Sequence, residues 1–138
     1  MKMDETVFEV YRSRGEQLSN AMRLCADDMQ AYSSAVALLA IHSAISYNDA
    51  LLTYLRGTRP KPEDHRTAIK VTRRACAEVK LDSTGINHLE KLLREKSDVS
   101  YGDRAVLRDR AQVLSIAAER FQAWVESSLA PRGRRVIK

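Results

Sequence analysis

Apolar residues recur every three or four positions along most of the chain, which is the spacing of one face of an α-helix. A first stripe predicts a helix of about 25 residues from Val7 onward, in which Gly15 is a weak point. Its members are Val7, Tyr11, Leu18, Met22, Cys25 and Met29. The next stretch, Gln30 to Arg56, is apolar on more than one face. It predicts the most buried helix of the protein.

Gly57 to Lys61 contains glycine and proline and predicts a loop. A third helix is expected from Pro62 to Val79, since Pro62 and the acids that follow it suit a first turn. Ser83 or Thr84 can then cap a shorter fourth helix.

Ser97 to Gly102 interrupts the apolar pattern and predicts a turn between the fourth helix and the last one. Asp103 can cap this final helix, which we expect to end before Pro131. Its predicted apolar stripe is Val106, Val113, Leu114, Ala117, Phe121 and Trp124.

The whole pattern contains no Asn-Gly hairpin, no internal repeat and no convincing strand. Four long amphipathic helices and one short helix predict an all-α protein, an up-and-down helical bundle. We place this bundle at residues 1–130 and expect 131–138 to be a disordered basic tail.

Composition supports a single folded domain, because 138 residues with 44% hydrophobic residues can bury a core. The net charge is +5, and four positive charges lie in the tail, at Arg132, Arg134, Arg135 and Lys138. The remaining body is nearly neutral. This distribution argues against a broad phosphate-binding face, and the tail alone would support only weak, salt-sensitive contact with RNA or DNA.

The location that these features predict is the cytoplasm, with Cys25 and Cys76 as reduced, buried thiols. Acids occupy the place where a signal peptide would be apolar. The uncharged run from Met29 to Asn48 is long enough to span a bilayer, but its many polar residues predict a buried helix and no membrane contact. We expect no metal site and no cofactor, because the three histidines lie on separate segments and neither cysteine has a CxxC partner.

Two stretches carry a family resemblance: AIHSAISYNDALLTYLRG at residues 40–57, and KSDVSYGDR together with AERFQAWV within 96–125. They resemble the second helix, and the junction and last helix, of the HEPN domain superfamily. These are small helical bundles of prokaryotic toxin and antitoxin modules, often found beside minimal nucleotidyltransferases. The resemblance implies a homodimer, through the second or the final helix, and a nucleotidyltransferase or antitoxin as a further partner.

Catalytically active members of that superfamily are metal-independent ribonucleases that carry an arginine, four to six residues, and then a histidine. The matching place here has Lys96 and Tyr101. Tyrosine ionises near pH 10 and cannot replace histidine as a base at neutral pH. We therefore expect a non-catalytic module that binds RNA, a nucleotide or a partner protein. Arg59 and His65 match the spacing, but they lie at the wrong connection, with two prolines between them.

Two other hypotheses stay open. One is a ribonuclease that uses Lys96, Tyr101 and Asp49 in altered chemistry. The other is a purely structural interaction bundle. If Ser97 to Gly102 is a turn, Tyr101 can fold back against the second helix near Tyr47 or Asp49, while Lys96 projects from the end of the fourth helix.

The candidate ligand-binding set is Lys96, Tyr101, Arg104, Asp49, Tyr47 and His42. His42 lies in the middle of the most apolar helix and is expected to be a neutral core or interface histidine. The polar residues 47–49 either meet the junction at 96–104 or form an exposed face. The junction itself mixes bases and acids, which predicts either surface ion pairs or a phosphate-contacting notch doubled by dimer symmetry.

Overall fold

Helices account for most of the chain in the computed structural model, which describes residues 5–57 and 64–137, with side chains for 7–57 and 64–129. They are α1 (Glu5–Ala26), α2 (Met29–Arg56), α3 (His65–Glu78), α4 (Ile86–Arg94), α5 (Lys96–Tyr101) and α6 (Arg108–Ile137). The described residues contain no strand, so the all-α prediction is confirmed. Only α1, α2 and α6 are long. The expected four long helices were therefore wrong in number, because the third has 14 residues and the fourth has 9.

The central helix is α2, which contacts all the other helices of the described chain. Its residues Val36, Ala37, Ile41 and Leu51 have no exposed surface. By length and composition α2 could cross a membrane, but 67% of its most apolar window is buried inside the bundle. Its apolar character therefore serves the core, as the sequence predicted.

The helix directions follow from three polar contacts. Arg12 of α1 pairs with Glu126 of α6 at 3.0 Å, and Ser19 donates to Gln122 at 2.7 Å, so α1 and α6 run antiparallel. The hydroxyl of Ser33, near the start of α2, donates to the carbonyl of Val106, just before α6, at 2.6 Å. α6 is therefore parallel to α2, and the three shorter helices carry the chain back between them.

Helix starts differ from the expected ones because local caps are in other places. Asp64 is the N-cap of α3, where its carboxylate accepts from the amide of Thr67 at 2.8 Å, so it lies before the first turn. Gly85, and neither Ser83 nor Thr84, takes the N-cap position of α4. A Cβ on this glycine would lie 2.1 Å from Cγ of Trp124, so only glycine lets α4 approach α6 here.

The segment before α6 was also predicted wrongly, since Asp103 does not cap it. The chain extends through Gly102, Val106 packs into the core, and α6 begins only at Arg108. Val113 is 44% exposed and so lies outside the apolar face of α6. The backbone of α6 continues to Ile137, past Pro131, at the loss of one helical hydrogen bond.

Three further expectations concern the loop after α2, the C-terminal tail and the two cysteines. Gly57 ends α2 in the left-handed conformation with φ 69°, as a predicted loop residue would, while 58–63 lie outside the described residues. The boundary at residue 130 and the disordered tail stay predictions, because the side chains from 130 onward also lie outside them. Both cysteines are free thiols; Cys76 is buried and Cys25 is half-buried.

Candidate functional site

The junction between α4 and α6 is a short helix, and the turn predicted at 97–102 was wrong. The amide of Val99 bonds the carbonyl of Glu95 at 3.0 Å, and that of Gly102 bonds the carbonyl of Asp98 at 2.9 Å. Val99 packs against the core and holds this helix, α5, on the bundle. The carboxylate of Glu95 pairs with Arg110 of α6, which fixes the end of α4 to the start of α6.

Tyr101 faces solvent. Its side chain is 88% exposed, which excludes the expected contact with Tyr47 or Asp49. The physical reason is the helical geometry of α5: Val99 takes the inward position, and a residue two places later lies on the opposite side. Arg104 is exposed as well, in the extended segment before α6.

His42 and Lys96 are the two candidates that the structure brings together. His42 is exposed on the outer side of α2, so of the two expected positions, core or interface, the core position was wrong. Partial desolvation lowers the pKa of its imidazole, and the nearby positive charge of Lys96 lowers it further. The imidazole is therefore neutral at pH 7 and lies within electrostatic range of an exposed ammonium group.

Tyr47 is completely buried between α1 and α6. Burial and then the carboxylates of Glu126 and Glu16 raise its pKa to about 12, with Arg12 opposing them. Its hydroxyl makes no hydrogen bond of ordinary geometry, although Glu126 lies close to it. Tyr47 is thus a core residue and cannot reach a ligand on the surface.

Asn48 is also buried, and its side-chain oxygen accepts from the hydroxyl of Thr72 at 2.9 Å. Asp49 is half-buried on the side of α2 that faces Arg14 of α1. Desolvation raises the pKa of Asp49 to about 6, and the charge of Arg14 moderates the rise. The polar residues 47–49 thus meet three different surroundings. The alternative that they form an exposed face was wrong, because Tyr47 and Asn48 are buried.

Sequence reasoning missed Arg14 as the neighbour of Asp49. The two-residue link Asp27–Asp28 makes α1 and α2 an antiparallel hairpin. Arg14 lies 13 residues before the link and Asp49 lies 21 residues after it, so the link alone does not identify the pair. A second omission is the set of basic residues between α4 and α6. His65 is exposed at the start of α3, while Arg59 lies outside the described residues.

Metal chemistry has no visible support in the described part of the chain. No group of three or more His, Cys, Asp or Glu side chains there is close enough to hold a metal ion. Apart from the His42 and Lys96 pair, the candidate set is dispersed over the core and the surface. The arrangement can offer an anion one positive charge and one neutral imidazole at an exposed place.

The fold and this surface define a small all-α helical bundle with a basic pair on its central helix and α5. A scan against models of known protein families finds no match, and no curated protein matches this chain. The resemblance to the HEPN superfamily therefore stays a hypothesis drawn from the residues that carry it.

Proposed function

We propose that this protein is a non-catalytic, HEPN-like helical module that binds RNA through the surface formed by His42 and Lys96. The observation that carries the proposal is that α5 packs against α2 and brings the charge of Lys96 within electrostatic range of His42. A lysine ammonium binds a phosphate as a point charge, and a neutral imidazole can donate or accept a hydrogen bond beside it. Lys96 has no ion pair within the described residues, so its charge is available to a ligand.

The biological setting we propose is a toxin–antitoxin or stress-response system in the cytoplasm. The support is the HEPN-like pattern in residues 40–57 and 96–125. A minimal nucleotidyltransferase or an antitoxin would be the partner in such a setting.

The same resemblance supports a homodimer, and large apolar side chains on two outer helix faces favour it. Leu38 of α2 is 38% exposed, and Val113 and Ile116 of α6 are 44% and 38% exposed. Apolar side chains on an outer face gain stability when a second copy covers them.

Binding is favoured over cleavage because Tyr101 and Asp49, the other two catalytic candidates, do not reach this pair. Tyr101 points into solvent, and Asp49 faces Arg14. Asp49 also lies two helical turns, about 10 Å, along α2 from His42. Neither Tyr101 nor Asp49 is therefore placed to protonate a leaving group at this surface.

One observation does favour a second candidate, a metal-independent ribonuclease. His42 is neutral, as a base for the 2'-hydroxyl must be, and Lys96 could stabilise charge on the phosphate. In this hypothesis α2 supplies the histidine that the sequence lacks at position 101.

The test measures binding and cleavage on the same single-stranded RNA in the presence of EDTA. We expect binding without cleavage, and Lys96→Ala should reduce the slope of log Kd against log salt by about 0.7, as loss of one phosphate contact would. The matched control is Lys70→Ala, which removes an exposed lysine from α3. Equal effects of the two substitutions would contradict the binding proposal.

Cleavage is the outcome that would promote the second candidate. RNA hydrolysis in EDTA that is lost with both His42→Ala and Lys96→Ala, but not with Lys70→Ala, would establish the enzyme. If Tyr101→Phe alone abolished cleavage while circular dichroism showed an intact fold, Tyr101 would be the reacting group despite its exposure.

A further inference from the structure

A second basic surface lies where α4 packs along α6, which we call the α4–α6 seam and define by His88, Lys91 and Arg120. The close contact of Gly85 with Trp124 fixes the register of the two helices. In this register His88 lies near Arg120, and Lys91 follows one turn further along α4. Lys91 and Arg120 are exposed, and His88 is half-buried.

The seam cations have no acidic partner among the described residues. The nearest acids on these helices are already paired: Glu90 contacts Arg73 and Arg94, and Glu119 contacts Arg23. Burial of His88, and then the charges of Arg120 and Lys91, lower the pKa of its imidazole. The positive charge at this place is therefore not compensated within the bundle.

The acids at the other end of the seam do not change this balance. Glu95 is engaged by Arg110. Asp109 is exposed on the first turn of α6, and it lies about three helical turns, or about 16 Å, from Arg120. At that distance ordinary salt screens most of the interaction between exposed charges.

Two uncompensated cations, Lys91 and Arg120, beside a neutral imidazole suit a chain of phosphates better than a single small anion. An isolated phosphate would gain only exposed contacts here and stay largely hydrated. A nucleic-acid strand places phosphates at regular intervals, so it can meet Lys91 and Arg120 together and release counterions from each contact. Arg120 can also bind a phosphate through two parallel N–H groups.

Base stacking does not contribute at this place. Trp124 is the aromatic residue of the seam, but its ring packs on Gly85 and stacks with Phe121 at 5.7 Å between centroids. Recognition here would accordingly involve the strand's backbone and carry no base sequence information.

We propose that the α4–α6 seam is a second nucleic-acid contact, at which His88, Lys91 and Arg120 bind the phosphate backbone of a single strand. It uses none of the residues of the His42 and Lys96 surface, so the two proposals can fail separately. The backbone of α6 continues beyond the seam into a stretch whose sequence includes Arg132, Arg134 and Arg135.

The three histidines allow both surfaces to be read in one NMR titration, with a short oligouridylate as the probe. A phosphate near an imidazole favours its charged form. We expect the oligonucleotide to raise the pKa of His88 and to leave the imidazole signals of His65, on α3, unchanged. Inorganic phosphate at the same phosphate concentration should have a much smaller effect on His88.

Substitutions give an independent measurement of the same contact. The double variant Lys91→Ala with Arg120→Ala should weaken oligouridylate binding several-fold and lower its salt dependence by the equivalent of two contacts. The double variant Lys70→Ala with Arg66→Ala, on exposed positions of α3, is the matched control. Circular dichroism should show the same helix content for both.

Each contrary outcome has a definite meaning. A response of His42 without one of His88 would overturn the seam and leave the proposed function standing. A response of His88 alone would do the reverse. An equal response of His88 to inorganic phosphate would show a site for a single anion. Displacement of the oligonucleotide by polyglutamate at equal charge would show a surface for acidic protein segments. Either result would overturn the nucleic-acid proposal.

Discussion

The ring of Tyr47 lies directly on the backbone of Gly15, and a Cβ atom at residue 15 would be 2.7 Å from Cδ2 of that ring. The carbonyl of Gly15 accepts a hydrogen bond from the hydroxyl of Ser43 at 2.9 Å at the same crossing. Both contacts hold α1 against α2. A glycine that weakens an isolated helix thus permits a close approach of α1 and α2 in the bundle.

Gly15→Ala should therefore destabilise the protein, although alanine favours the helix by about 1 kcal/mol. Steric overlap in a packed core costs about 1–3 kcal/mol, so we expect a net loss of about 1 kcal/mol in the free energy of unfolding, measured in urea by circular dichroism. In a Tyr47→Leu background the same change should be neutral or stabilising. Ser13→Ala, on the exposed side of α1, is the control. A Gly15→Ala protein more stable than the wild type would contradict this packing.

Asp49 should make stability depend on pH. Its folded pKa of about 6 lies above the ordinary value of 3.8, so the folded state favours the protonated form. The stabilisation is present in full below about pH 4 and is lost as the pH rises through about 6. Asp49→Asn should remove this dependence and raise stability at pH 7 by about 1 kcal/mol, after allowance for solvent screening of a half-buried group. Parallel stability curves of variant and wild type between pH 4 and 7 would show that Asp49 is not desolvated.

The hydrogen bond between the buried side chains of Asn48 and Thr72 should contribute more to the free energy of unfolding than the buried hydroxyl of Tyr47. Thr72→Val leaves the side-chain oxygen of Asn48 without its donor, and we expect a loss of about 1–3 kcal/mol. Tyr47→Phe removes a hydroxyl that has no hydrogen bond of ordinary geometry, so it should cost less than about 0.5 kcal/mol. Unfolding in urea compares the two variants. Equal losses would mean that Tyr47 is bonded in solution.

The proposed homodimer gives a prediction about mass. Light scattering at tens of micromolar should give twice the 15.6 kDa of one chain. Leu38→Glu or Ile116→Glu should convert the dimer to single chains, because either places a charge in an apolar contact. Gln112→Glu is the control for the added charge in the case where α2 forms the dimer contact. Gln112 is exposed on α6 beside Val113. A mass of one chain for the wild type would count decisively against the dimer.

The sequence predicts those parts of the fold that depend on local geometry, and it does not predict those that depend on contacts between distant residues. The period of the apolar residues identified the long helices, because it depends only on local geometry. It could not tell which side of α2 stays open, so it left a core or an interface position for His42, and the structure excludes the core position. Gly85 was taken for a break between patterns, whereas its role is the contact with a tryptophan 39 positions later. Neither fact has a local signal.

The candidate site was predictable only where neighbours in sequence are neighbours in space. Lys96 was identified correctly as an exposed cation after the fourth helix. Its proximity to His42 depends on how α5 lies on α2, and that in turn depends on Val99 and Val106, which pack in the core. Either these valines or Tyr101 could pack against the core, and the tertiary structure decides between them. The sequence contains no reason to prefer one over the other.

The parallel arrangement of α2 and α6 has a consequence for synthesis. A ribosome completes α2 before α3, α4 and α5, and only then does it make the helix that covers Ala37, Ile41 and Leu51. Until Phe121 and Val125 emerge, α1 and the three shorter helices can cover only part of the most apolar helix of the protein. The nascent chain therefore exposes apolar surface for about half of its synthesis, between residue 56 and residue 125. A chaperone that recognises exposed apolar helices would act on it in this interval.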